Sequence, residues 1–234
     1  MKNQSENKVY TLAEVLGKHT IAELKQMTQV LEVKVLSKAK KQEIIDALSA
    51  KLLDKELLTA WLLAAGKQEI EELELAMAED VVIAEESGRF YYWRNLPVVF
   101  VTGDGVVVVP SETAAVYNEI KSDSEYAAKR ARIDVMDEYL MSCVNLYRAI
   151  DITTFLSILN GQTGMNAKRP ELESWLKDRE AVRGQQMYFF EGGYILSEEY
   201  RTKKEGEVVA YHQLLERQGA MSYYITAKSE LLRY

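Results

Sequence analysis

Four lysines lie within an eight-residue stretch, KVLSKAKK, that leads directly into a predicted amphipathic helix, QEIIDAL. They are Lys34, Lys38, Lys40 and Lys41. Unpaired backbone N–H groups at the start of a helix attract anions, and lysine side chains add positive charge, so the pattern indicates a phosphate-binding site. Positive charge at a helix N-terminus opposes the helix dipole, so these lysines do not stabilise the helix itself. The alternative interpretation is a helix start whose lysines contact only water.

Short helices must position these lysines. Thr11 and Thr20 are each followed three residues later by a glutamate, which is the spacing of a capping box, and they predict two helix starts. Ser37 is predicted to cap the third helix. The inner face of that helix is predicted to consist of Ile44, Ile45 and Leu48. A helix–extended link–helix unit of about 40 residues is marginal alone, so we expect it to pack on the residues that follow.

The stretch over residues 11–53 resembles a known family. It reads TLAEVLGKHTIAELKQMTQVLEVKVLSKAKKQEIIDALSAKLL, and the matching features are the helix TIAELK, an aliphatic link and the basic helix start KKQEIIDAL. These features are similar to the N-terminal domain of the Rho termination factor and to SAP-like helix–extended–helix modules. Such modules often carry a glycine in the link, where this chain has LEVKVLS. Similar modules occur appended to many unrelated bacterial and phage proteins.

The resemblance implies contact with DNA or RNA. SAP-type modules bind DNA, and the Rho domain lies beside an RNA-binding barrel. No stretch after Leu53 has the pattern of such a barrel, so the sequence does not predict RNA capture of that kind. The residues implied in nucleic-acid binding are the lysines named above.

Charge is unevenly distributed along the chain. The net charge is −7, which argues against indiscriminate binding of polyanions. Residues 1–53 hold nine lysines and six acidic residues, a balance of +3, whereas residues 54–86 hold ten acidic residues and two lysines, a balance of −8. We therefore expect any nucleic-acid contact in the basic N-terminal segment, with the acidic segment turned away from phosphates.

Two hairpins with glycine turns are predicted in the remaining chain, at FVTGDGVVVV and at RGQQMYFFEGGYILS. Helices precede each hairpin, and three helices with a two-stranded wing are the outline of a winged-helix domain. The predicted fold class is therefore α+β, mainly helical. A Rho-N/SAP-like module at 9–53 is followed by winged-helix-like units at 54–122 and 123–234, the second with C-terminal helices.

Further expectations concern the extent and the ends of individual elements. The stretch DVVIAEESGRFYYWRNLPVVF is read as part of the first β region, and the residues of MDEYLMSCVNLYRAI as a helix separate from the one before it. Asp151 is predicted to cap the following helix, and Pro170 to lie in the first turn of the next. Two closing helices, EGEVVAYHQLLERQG and TAKSELLRY, end the predicted fold.

The third helix of the second predicted unit, RPELESWLKDRE, is a poor candidate for reading a DNA groove. It carries four acidic residues against Arg169, Lys177 and Arg179, whereas groove-reading helices present Arg, Asn or Gln to the bases. Winged-helix domains that contact proteins tolerate such a surface. We therefore expect this part of the chain to contact a protein partner.

Aromatic residues are concentrated in FYYWRNLPVVF and MYFFEGGYI. Aromatic side chains on a sheet can stack on nucleic-acid bases, but few basic residues accompany these two runs. Packing in the core beneath the helices is the preferred interpretation.

No pattern of catalytic or metal-binding residues is present. His19 and His212 are far apart in sequence, and neither belongs to a metal-ligand motif. The single cysteine, Cys143, lies on an apolar helical face, which predicts a buried, inert thiol. The glycines of GDGVVVV run into a strand instead of a helix, so they predict a turn and not a dinucleotide site. The sequence predicts no catalytic residue, cofactor or metal.

The predicted location is the cytoplasm. The start MKNQSENKVY has no apolar segment of the kind that a secretory signal needs, the longest apolar run is too short to span a membrane, and the lone cysteine cannot form an internal disulfide. The predicted function is that of a non-enzymatic accessory or regulatory protein that binds nucleic acid weakly through its N-terminal module and a protein through its acidic body. The alternatives are a protein-interaction scaffold and, more remotely, an enzyme with an unrecognised site.

Overall fold

A computed structural model describes residues 9–84, 87–183, 188–197, 217 and 225–234. Over these residues the chain is mainly helical with two small antiparallel sheets, which confirms the predicted α+β class. It divides into two compact units, Met1–Lys129 and Arg130–Tyr234. The finer division at residues 53 and 122 stays a prediction, because one compact unit can contain more than one module. None of the described helices has both the length and the apolar character that crossing a bilayer requires.

The first unit contains seven described helices: α1 Leu12–Gly17, α2 Ile21–Val30, α3 Lys41–Leu52, α4 Lys55–Ala64, α5 Lys67–Ala78, α6 Tyr91–Asn95 and α7 Ser111–Lys121. Helices α1 and α2 begin as predicted. The hydroxyl of Thr11 accepts a hydrogen bond from the N–H of Glu14, and the Glu14 carboxylate accepts one from the N–H of Thr11. Thr20 and Glu23 repeat this capping box, so both helix starts are confirmed.

A three-stranded antiparallel sheet completes the first unit. Its strands are β1 Val81–Val82, β2 Phe100–Val101 and β3 Val106–Val108, in the order β1-β3-β2. The predicted hairpin of β2 and β3 is confirmed. Gly105 in its turn has a φ of 81°, and a Cβ there would lie 2.7 Å from the carbonyl oxygen of Ile83, so the turn requires glycine.

The prediction of continuous β structure across FYYWRNLPVVF was wrong, because helix α6 lies within it. Phe90 takes a left-handed conformation with φ 59°, and its N–H donates to the Glu72 carboxylate at 3.0 Å. This conformation directs the chain into a short helix that buries Tyr92 and Trp93. A contact with a residue 18 positions earlier therefore overrides the β preference of the aromatic run.

Helix α8 Ser124–Tyr147 begins in the last residues of the first unit and continues into the second. The second unit further contains strand β4 Ala149–Asp151, helices α9 Ile152–Thr163 and α10 Arg169–Arg183, strands β5 Tyr188–Glu191 and β6 Tyr194–Ser197, and helix α11 Lys228–Leu231. Its sheet has the order β4-β6-β5, with β5 and β6 forming the predicted second hairpin. The side chain of Asp151 accepts from the N–H of Thr154, which confirms the predicted cap of α9, and Pro170 lies in the first turn of α10 as predicted.

One prediction about these helices was wrong, and another concerns residues that are almost entirely outside the described part of the chain. The stretch around MDEYLMSCVNLY is not a separate helix, because α8 continues through it without a Pro or Gly to break it. Met136, Leu140 and Cys143 are buried along one continuous face, and the residues after Arg148 form strand β4 instead of more helix. Of the predicted helix EGEVVAYHQLLERQG only Arg217 is described, whereas the last predicted helix is confirmed as α11.

Candidate nucleic-acid interface

Helices α1, α2 and α3 pack around a small apolar core. The fully buried side chains at its centre are Leu16, Leu24, Ile44 and Leu48, each with an exposed fraction of 0%. Ile44 and Leu48 belong to the predicted inner face of α3, and Ile45 is also buried. Because α2 and α3 are both held in this core, the positions of the two ends of the link between them are set by the packing. The predicted lysine cluster begins in that link.

The link begins with a Schellman motif at the end of α2. The N–H of Val33 donates to the carbonyl oxygen of Thr28 at 2.8 Å, and the N–H of Glu32 donates to that of Gln29 at 3.3 Å. Glu32 is left-handed, with a φ of 53°. A residue with a Cβ is strained in this conformation, and glycine is the residue that helix ends of this type usually carry. The position is the part of the link where related modules were expected to have a glycine.

Replacing Glu32 with glycine is therefore expected to stabilise the protein. Left-handed backbone costs a residue with a side chain about 1–2 kcal/mol, and the extra freedom of glycine in the unfolded chain offsets about 0.4–1 kcal/mol of the gain. We expect a net increase of about 0.5–1 kcal/mol in the free energy of unfolding, measured by urea denaturation. Glu32→Ala is the matched control, since it removes the charge and keeps the strain; equal effects of the two changes would contradict the explanation.

A braced turn presents the middle of the lysine cluster. The N–H of Ala39 donates to the carbonyl oxygen of Leu36 at 2.9 Å, and the Nζ of Lys25 donates to that of Ser37 at 3.2 Å. Ser37 was predicted to cap α3, and this prediction was wrong, because the turn occupies Ser37 and the helix begins only at Lys41. Lys40 is the N-cap residue, and its N–H donates to the carboxylate of Glu43 at 2.6 Å.

The four predicted lysines have different environments. Lys34, Lys38 and Lys40 are exposed, on the link and at the N-cap of α3. Lys41 is half-buried, and its Nζ donates to the carbonyl oxygen of Gly17 at 2.6 Å. Because Gly17 is the last residue of α1, this bond fastens the start of α3 to the negative end of α1. Three of the lysines are thus available to a ligand, and the fourth positions the helix that carries them.

Sequence reasoning missed Lys25. Its ammonium supports the turn from a helix that lies 12 residues earlier in the chain. Nothing in the spacing of Lys25 and Ser37 predicts this contact, because it depends on how α2 and the link pack. A lysine on an exposed helix is ordinarily expected to contact water alone.

The start of α3 differs from the starts of α1 and α2. In α1 and α2 a threonine hydroxyl accepts a first-turn N–H, whereas Lys40 makes no such side-chain bond in α3. Nearby, hydrogen bonds from the Thr20 N–H and hydroxyl lower the pKa of Glu23, with smaller contributions from His19 and Lys41.

Comparison with protein-family models, with curated proteins and with solved structures found no match to this chain. Its function must therefore be inferred from its own side chains and their arrangement.

Helix α10 leaves little positive charge for a DNA groove. Arg179 is buried and pairs with Asp137 on α8, and Arg169 pairs with Glu173 on its own helix at 2.9 Å. Lys177 is exposed beside the acidic Asp178. The surface of the helix is thus less basic than its sequence indicates, because Arg169 and Arg179 are engaged in ion pairs.

Neither Cys143 nor His19 belongs to a metal-binding cluster among the described residues. Cys143 is fully buried, and burial raises the pKa of its thiol to about 12, so the thiol stays protonated at neutral pH. His19 lies 3.8 Å from the Glu23 carboxylate, while His212 falls outside the described residues. In the described part of the chain, no group of three His, Cys, Asp or Glu side chains is arranged to hold a metal ion.

Proposed function

We propose that this protein is a non-enzymatic accessory or regulatory protein whose Rho-N/SAP-like N-terminal module binds the phosphate backbone of DNA or RNA. The observation that carries the proposal is the exposure of Lys34, Lys38 and Lys40 on a hydrogen-bonded link and helix start. Lys41 is assigned a positioning role, through its bond to Gly17. Few phosphate contacts and an overall charge of −7 make the binding weak and strongly salt-dependent.

The acidic body is proposed to contact a protein partner through winged-helix-like units. Two observations support these units. Each sheet has its first strand next to its third, in the orders β1-β3-β2 and β4-β6-β5, and each has a helix before its first strand and at least one between its first and second strands. The ion pairs of Arg169 and Arg179 in α10 favour a protein over a DNA groove as the partner of the second unit. The single buried thiol suits a reducing, cytoplasmic location.

Removing the three exposed lysines is expected to weaken nucleic-acid binding and reduce its dependence on salt. For the full-length triple variant Lys34→Ala/Lys38→Ala/Lys40→Ala, the slope of log affinity against log salt concentration should fall by about 2.7 for duplex DNA, since each lost phosphate contact contributes about 0.9. The measurement is fluorescence anisotropy with a labelled duplex DNA and a single-stranded RNA at several salt concentrations.

A matched control separates a site from overall charge. Lys67→Ala/Lys168→Ala/Lys177→Ala removes the same charge from exposed lysines in other elements, and it should retain the wild-type slope. An equal loss in both triple variants would show that charge acts diffusely. Absence of binding by the wild-type chain at low salt would contradict the proposal and favour the alternative, a protein-interaction scaffold whose lysines are only solvated.

A further inference from the structure

Leu36 lies in the middle of the lysine cluster, between Lys34 and Lys38, and its side chain is 81% exposed. Of the large apolar side chains in the described part of the chain it is the most exposed. A single exposed leucine is common on protein surfaces and needs no explanation by itself. The neighbours of Leu36 distinguish it, because the three exposed lysines of the proposed nucleic-acid site all lie within four residues of it in the chain.

The backbone of the link holds Leu36 toward solvent. Burial alternates along the link: Val33 and Val35 are half-buried, whereas Lys34 and Leu36 are exposed. Successive side chains of an extended segment point to opposite sides, so Lys34 and Leu36 face solvent on the same side. The carbonyl oxygen of Leu36 accepts a hydrogen bond from the N–H of Ala39 at 2.9 Å, which closes the turn that follows. Because the leucine is held in this way before a ligand arrives, binding costs little ordering of the backbone.

The chemistry of the Leu36 side chain selects the form of nucleic acid. Phosphates and sugars are polar, so an aliphatic side chain among the lysines gains contact only with the faces of bases. Proteins that bind single strands stack bases on aromatic side chains, and residues 31–41 contain no aromatic residue. Aliphatic side chains such as leucine instead enter duplex DNA as wedges, which partly unstack one base step from the minor-groove side. The side chain therefore favours duplex DNA.

The shape and charge around Leu36 agree with this ligand. The minor groove of DNA is about 6 Å wide, too narrow for an α-helix of about 10–12 Å, and Leu36 lies on the turn 36–39 instead of on a helix. Phosphates line both edges of the groove, and Lys34 precedes the leucine while Lys38 and Lys40 follow it. We propose that Leu36 is an apolar wedge that enters a base step of duplex DNA from the minor groove and bends the DNA, while the three lysines contact the phosphates at the groove edges.

This inference rests on the proposed function, and the experiment measures bending and affinity separately, with the full chain at low salt. A duplex of about 30 base pairs carries a donor dye at one end and an acceptor dye at the other, so that bending raises energy transfer. The anisotropy of the same duplex gives the affinity. The wild type is expected to bend the duplex by at least about 20°. Leu36→Ala should lose at least about half of that bend and keep the wild-type salt slope, because it removes no charge.

Matched variants and a second duplex identify the wedge. Val30→Ala removes an aliphatic side chain that is 67% exposed at the end of α2, outside the lysine cluster, and it should leave the bend unchanged. Leu36→Phe keeps an apolar side chain at the tip and should retain the bend. A duplex with one central mismatch is already weakly stacked there, so the wild type should bind it at least about fivefold more tightly than the paired duplex. Leu36→Ala should lose this preference.

The outcomes separate failure of the wedge from failure of nucleic-acid binding as a whole. Salt-dependent binding without bending, or equal bends in the wild type and Leu36→Ala, would overturn the wedge and leave the proposed function intact. Absence of binding at low salt would overturn both. Equal loss of the bend in Val30→Ala and Leu36→Ala would overturn the assignment to Leu36. Tighter binding of single-stranded RNA or of anionic phospholipid vesicles than of duplex DNA would overturn the assignment to duplex DNA.

Discussion

Replacing Asp137 with alanine is expected to lower the free energy of unfolding by about 3–5 kcal/mol, because the change leaves the Arg179 guanidinium buried without its counter-ion. Asp137 lies on α8 and Arg179 on α10, and the side chains are 10% and 2% exposed. The pair is bidentate: the two terminal nitrogens of Arg179 donate to the two carboxylate oxygens of Asp137. The guanidinium also lies 5.0 Å from the ring centre of Trp175 and 5.5 Å from that of Tyr188.

This arrangement joins α8, α10 and β5 at one point in the second unit, so its loss should loosen all three elements. Urea denaturation of the full chain, followed by tryptophan fluorescence and circular dichroism, measures the effect. Arg169→Ala is the matched control, because it breaks an arginine–carboxylate pair on the same helix that is largely exposed, and it should cost no more than about 0.5 kcal/mol.

A double variant tests whether the loss of stability in Asp137→Ala comes from leaving the Arg179 charge buried without the Asp137 carboxylate. Asp137→Leu with Arg179→Met replaces both charges by apolar side chains, and buried pairs replaced in this way often lose little stability. We expect the double variant to be more stable than Asp137→Ala. Equal losses of stability in Asp137→Ala and Arg169→Ala would contradict a special contribution of the buried ion pair.

The second large effect is expected at Trp93 in α6, where replacement by alanine should cost about 3–5 kcal/mol. The side chain is 0% exposed, its indole N–H donates to the carbonyl oxygen of Glu69 at 2.5 Å, and its ring meets that of Tyr92 edge-on at a centre distance of 4.6 Å. Alanine would leave a large cavity between α5 and α6 and an unfilled acceptor beside it. Thermal and urea unfolding of the full chain measure the loss.

Tyr91 is the matched control for Trp93. It is the preceding residue on the same short helix but is 52% exposed, so Tyr91→Ala should change stability by no more than about 0.5 kcal/mol. Trp93→Phe separates packing from hydrogen bonding, since it keeps most of the ring volume and removes the N–H. These aromatics pack in the core, as preferred on sequence grounds, and do not form a stacking surface at Trp93. A Trp93→Ala variant as stable as Tyr91→Ala would contradict that interpretation.

The sequence alone determined the features whose signals lie within a few neighbouring residues. The threonine–glutamate capping boxes of α1 and α2, the Asp151 cap of α9, the two glycine hairpins and the inner face of α3 were all predicted and are confirmed. The buried, unreactive state of Cys143 was also predicted, because apolar neighbours at helical spacing place it in the core. In each case the donor, the acceptor or the apolar face is specified locally.

The tertiary structure decided the remaining features. Ser37 has the chemistry of a helix cap, but packing of the link places it in a turn that Lys25 supports from another helix. The aromatic run at Tyr91–Asn95 is helical because Phe90 meets a carboxylate on α5. Helix α8 continues where a boundary was predicted, since its buried face is supplied by the elements that pack on it.

The same distinction applies to the candidate sites. Sequence identified the lysines of the link, but it treated Lys41 as equal to the others, and only the bond to Gly17 separates its role from theirs. It counted Arg179 as positive charge on α10, whereas a carboxylate 42 residues away neutralises it. Charge and capping are properties of nearby residues, but the availability of a charged group to a ligand depends on partners that only folding brings within reach.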